Sequence, residues 1–131
     1  MITVTLSNIA YDDDLHFIDA EGRIKIRVEG HAIRSDALTA GLEFNARKGE
    51  NIICAAVSHA ALNLIRSLDI IGDLQPGCSI EDGLIEMKMD LKDLGREKTH
   101  TARILIESFL IGMLDLEKKY KDFISIDLLQ N

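Results

Sequence analysis

Two residues of this chain have side chains that could act together on a covalent bond, Cys54 and His31. The spacing of Ile53, Val57, Ala60, Leu64 and Leu68 places them on one face of a helix, with Asn51 a good N-cap whose side-chain oxygen can accept from the amides of Ile53 or Cys54. On that reading Cys54 lies in the first helical turn, among unpaired backbone N–H groups and at the positive end of the helix dipole. Both favour the thiolate, and a thiol placed there is a recognised nucleophile, expected to react faster than the second cysteine, Cys78. A nucleophilic thiol needs a proton shuttle for its leaving group, the usual work of an imidazole near neutral pH. His31 follows the strand pattern of Ile24, Ile26 and Val28, and a residue at a sheet edge can face the start of the next helix. Spacing alone leaves blander readings open. Helical cysteines are commonly small buried hydrophobes, and a histidine at a strand end is commonly structural. Asn51 caps its helix whatever else it does, and Ser58, one turn past Cys54, can bond its own helix backbone.

Other chemistry fits less well. His16, His59, His100 and Cys78, taken with Cys54, match no standard zinc spacing, so no metal and no other cofactor is expected. Asp12-Asp13-Asp14 lacks the Gly and Glu of a calcium loop and reads as a solvated turn. Lys118-Lys119-Tyr120-Lys121 complements the dipole at a helix end.

The elements that must position these groups follow from composition and period. The 131 residues are 47% hydrophobic with a single Pro, which excludes a disordered chain and fits one domain. A net charge of −7 opposes nonspecific nucleic-acid binding and favours a basic partner. The longest strongly apolar stretch, 109–114, is far below the roughly 20 residues of a membrane span. The N-terminus alternates through Ile2, Val4 and Leu6 into acidic residues, unlike a signal peptide. A cytoplasmic protein with free thiols and no membrane contact is expected. Strands are expected at 2–6, 15–20, 24–28, 85–91 and 124–128, with a hairpin at Glu21-Gly22. One helix runs from Asn51 to about Gly72, and a second carries the stripe Ile106, Phe109, Leu110, Met113, Leu116 and Tyr120. Residues 33–49 read as a long mobile loop. The fold class is α+β, a mostly antiparallel sheet with two helices on one face.

Gly30-His31-Ala32 and Gly49-Glu50-Asn51-Ile52-Ile53-Cys54-Ala55-Ala56-Val57-Ser58 together resemble the Prp family, the ribosomal-processing cysteine proteases. The family pattern is Gly-His-Ala, then Gly-x-Asp-Ile-Val-Cys-Ala-Ala or a close variant, then Ser one helical turn after the Cys. The resemblance implies a small α+β protease, often dimeric, that removes a short N-terminal extension from a large-subunit ribosomal protein. Carried onto this chain, it makes Cys54 the nucleophile and His31 the general acid and base. It puts Asn51 and Ser58 in supporting roles and Gly30 and Gly49 beside the basic substrate peptide. Asn51 stands where the family usually has Asp, keeping the capping oxygen without its charge, and Cys-His-Asn sets serve proteases on other folds. Twenty-two residues separate His31 from Cys54, more than the family's spacing. These two departures leave an alternative, a diverged relative that binds a ribosomal protein or basic peptide without cutting it.

Overall fold

The computed structural model describes the backbone of residues 1–11, 18–30 and 44–129, and the side chains of 1–11, 22–30 and 52–129. In chain order its elements are β1 (Ile2–Tyr11), β2 (Ile18–Glu29), α1 (Phe44–Ile70), β3 (Gly77–Glu81), β4 (Leu84–Asp90), α2 (Arg96–Lys119) and β5 (Ile124–Leu129). The five strands form one sheet in the order β3-β4-β2-β1-β5. Three pairings are antiparallel and β1 with β5 is parallel, so the sheet is mixed, with the expected antiparallel majority.

Alternation decides which sheet face is covered. Ile2, Val4, Leu6, Ile24, Ile26, Val28, Ile85 and Met87 are buried, whereas Lys25, Arg27, Glu86 and Lys88 point the other way and pair among themselves on the open face. Burying the first set against two helical stripes builds the core: Ile53, Val57, Ala61, Leu64 and Leu68 from α1, and Ala102, Ile106, Phe109, Leu110 and Met113 from α2. The α+β class with two helices on one face is therefore as the periodicity implied. A 19-residue piece of α1, Ile52–Ile70, is long and apolar enough to span a membrane by length and composition, which the sequence reading did not anticipate. Here one side of that piece is spent on the sheet.

Three boundaries differ from expectation. The hairpin assigned to Glu21-Gly22 is not there, because β2 runs straight through. Gly22 at φ +65° and Asn8 at φ +60° absorb a register shift between Ser7 and Ile9, and the Asn8 side-chain amide donates to the Arg23 carbonyl at 2.7 Å. A glycine that could have reversed the chain instead bends it. The second difference is β3, which had no place in the expected order. Its signal was Asp82-Gly83, a two-residue hairpin turn with Gly83 at φ +79°.

The third difference matters most for chemistry. Helix α1 begins at Phe44, so residues 44–49 of the expected loop are helical, and Gly49 and Asn51 lie inside the helix. Residues 33–43 lie outside the described residues. A glycine within a helix costs about 1 kcal/mol, a penalty that a 27-residue helix can carry on its packed face.

Candidate active site

Gly30 ends the strand that leads to His31, and two contacts hold its backbone. Its N–H donates to the Gly83 carbonyl at 3.0 Å, joining the end of β2 to the β3–β4 turn. Its φ is +80°, and a Cβ here would stand 2.5 Å from the Met1 carbonyl oxygen. Glycine is required on both counts, so the motif's first residue sets the direction in which the chain departs. His31 itself lies outside the described residues.

Cys54 is ten residues into α1, about 15 Å from its start, in the third turn. This corrects the expected first-turn position. Asn51 is an interior helical residue and not the N-cap; its side chain lies outside the described residues. Inside a helix the amide of Cys54 belongs to the i to i−4 ladder, so helix-terminal N–H groups do not surround the sulfur in this arrangement. Cys54 is also only 2% exposed and sits in the core cluster with Ile53 and Val57. Cys78 is the exposed thiol, so accessibility in this arrangement favours Cys78 over Cys54, against the expected order. Ser58 is half-buried on the flank that also carries Cys54, as i to i+4 spacing requires.

Element lengths settle which end of the sheet Cys54 occupies. Lys98 in the first turn of α2 reaches Asp73, just past α1, at 3.8 Å. Because α2 follows the C-terminal end of β4, that contact places the C-terminus of α1 at the same end. Cys54 lies sixteen residues earlier, about 24 Å along the axis, comparable to the roughly 23 Å of the seven-residue β4. It therefore comes level with the opposite end of the sheet, where Glu29 pairs with Leu84 and Gly30 meets Gly83. The nucleophile candidate and the strand end that leads to the histidine candidate share one end of the fold.

Among the described residues no group of three or more His, Cys, Asp or Glu side chains could hold a metal ion. What this end of the sheet offers is a shielded thiol and a fixed strand terminus, a setting for thiol chemistry once the sulfur is uncovered.

A family model described as cysteine protease Prp matches residues 14–125. Among solved structures, SMU.848 from Streptococcus mutans is similar at TM-score 0.68 and 20% identity, covering 100% of this chain and 99% of that one. The essential ribosomal processing protease Prp from S. aureus in complex with a substrate peptide is similar at TM-score 0.60 and 17% identity, covering 98% and 99%. The same S. aureus protease with a covalently linked product peptide gives 0.59 and 18%, again covering 98% and 99%. At these identities the likeness is one of fold. No curated protein matches the chain.

Proposed function

The chain belongs to the Prp family of cysteine proteases, and from that premise we propose that it removes an N-terminal extension from a large-subunit ribosomal protein, with Cys54 as nucleophile and His31 as general acid and base. What supports the reading is that element lengths bring Cys54 level with the Gly30 end of β2, both inside the matched span. The Cys54 sulfur adds to the scissile carbonyl, and the C–N bond breaks as His31 gives a proton to the departing amine. A thioester on Cys54 remains. His31 then takes a proton from water, whose oxygen displaces the thioester sulfur and releases the carboxylate product. Asn51 and Ser58 support this pair, and Gly30 and Gly49 border the peptide. The protease acts in the cytoplasm, as a homodimer.

The reading demands one change from the described arrangement, because a cysteine buried in the core cluster cannot present its sulfur to a peptide carbonyl. Unwinding the turns that precede Cys54 would expose it. The same change would free amide N–H groups around residue 54 to receive the oxyanion and to favour the thiolate. The net charge of −7 suits a basic substrate and predicts that the encounter weakens with salt.

The test is cleavage of a synthetic peptide copying the N-terminus of the host's large-subunit ribosomal protein. Wild type is expected to cut it once, and Cys54→Ala and His31→Ala to leave it intact. Undiminished cutting by Cys54→Ala would refute the nucleophile; binding without cleavage by wild type would replace this reading with that of a non-cutting relative.

A further inference from the structure

The two edges of the sheet are finished differently. On the β5 edge the Glu117 carboxylate reaches over from α2 and accepts the Ile126 N–H at 2.7 Å, occupying a backbone donor. Nothing comparable touches β3 among the described residues, and all five of its residues are exposed. The two-residue turn Asp82-Gly83 makes Glu81 and Leu84 a hydrogen-bonded pair, so Gly77, Ser79 and Glu81 point their backbone groups at β4. Cys78 and Ile80 therefore turn their N–H and C=O groups outward. An unpaired row of this kind is what an added strand recognises.

The side chains on this edge are as telling as its backbone. Cys78 pairs with Met87 and Ile80 with Ile85, so both stand on the helix-covered side of the sheet. Yet Ile80 is 58% exposed and Cys78 is exposed. Helix α1 packs over β4, and α2 lies toward β5, so the cover stops one strand short. The groove between the helices is lined from α1 by His59, Asn63 and Ser67. The opposite flank of α1, carrying Ser58, Leu62 and Ile65 on a row that begins at Cys54, therefore overlooks the uncovered ledge. The ledge leads somewhere definite: its turn end is bonded to Gly30, one residue before His31, and Glu81 and Asp82 give that end negative charge.

We infer that a basic peptide docks in extended form on the outer edge of β3, as a sixth strand paired to Cys78 and Ile80. The apolar ledge takes alternate side chains, and the acidic turn takes a Lys or Arg near the bond to be cut. This rests on the protease reading and names the surface that feeds its site. The occupant is a peptide because the free groups are backbone donors and acceptors at strand spacing, and a basic one because the charge at the turn is acidic.

The test uses the full chain as Cys54→Ala, which cannot cut and leaves Cys78 as its only thiol. With saturating ribosomal-protein peptide, binding being followed separately by calorimetry, Cys78 alkylation is expected to slow at least about tenfold, and amide exchange at Cys78 and Ile80 to slow with it. In the active chain Ile80→Pro removes an outward N–H while sparing the ladder to β4. It is expected to raise KM about tenfold with kcat little changed, as loss of one hydrogen bond would, whereas Ile80→Val leaves KM near wild type. Peptide that binds with neither thiol nor amides protected would overturn the docking surface and leave the protease reading standing. Peptide that does not bind at all would overturn both.

Discussion

Helices α1 and α2 lie on the same sheet and share one core, but they spend their buried positions differently. Every fully buried position of α2, from Ala102 to Met113, holds a side chain with nothing to offer except packing. Helix α1 buries Ile53, Val57, Leu64 and Leu68 in the same way, and among them seats Cys54. A thiol is nearly as easy to bury as a methyl group, so a cysteine fits a packing surface that otherwise holds only aliphatic side chains. On the proposed reading, one helix is scaffold alone and the other is scaffold and tool.

Separating those two duties by mutation gives the sharpest contrast. Cys54→Ala is expected to reduce peptide cleavage at least about a thousandfold, equivalent to about 4 kcal/mol of barrier, while moving the urea midpoint little. Leu110→Ala on α2 should do the reverse. It costs about 2–5 kcal/mol of unfolding free energy, read from denaturation, with activity per folded molecule preserved. A Leu110→Ala chain that stays folded but loses kcat would break the division between the helices.

Smaller effects refine it. Gly30→Ala should destabilise by about 1–3 kcal/mol, because the new methyl meets the Met1 carbonyl at a backbone angle that L-residues avoid, and activity should fall with it. Alkylation of the free wild-type chain should mark Cys78 before Cys54, and added substrate peptide should speed Cys54 as it slows Cys78. Prior labelling of Cys54 in the free protein would mean that α1 does not shield its thiol. Smallest of all, Glu117→Gln weakens one hydrogen bond on the β5 edge and should cost about 1 kcal/mol in thermal unfolding.

Much of this was legible from the residues. Alternation in Ile24, Ile26 and Val28 and in Ile85 and Met87 put the right side chains inward, and the stripe around Ile106 to Met113 identified the buried face of α2. Those are local signals, and burial follows them because each element has one apolar side. The β3–β4 turn has its signal in Asp82-Gly83, which the strand reading passed over, because only Cys78 and Ile80 alternate in the five residues before it and so short a run does not announce a strand. The start of α1 was not legible. Asn51 has the chemistry of a cap, but capping is worth about 1 kcal/mol, and a longer helix on a packed sheet can outweigh it.

The sequence alone therefore determined the residue types, their periods, and the motif that joins His31 to Cys54. Tertiary structure decided how deep Cys54 sits, that α1 overlooks β3 without covering it, and that Gly30 is tied to Gly83 across 53 positions of chain. The division has a physical cause. Periodicity and turn chemistry are set by neighbours in the chain, whereas the shielding of one sulfur atom and the openness of one sheet edge depend on which distant elements happen to end beside them.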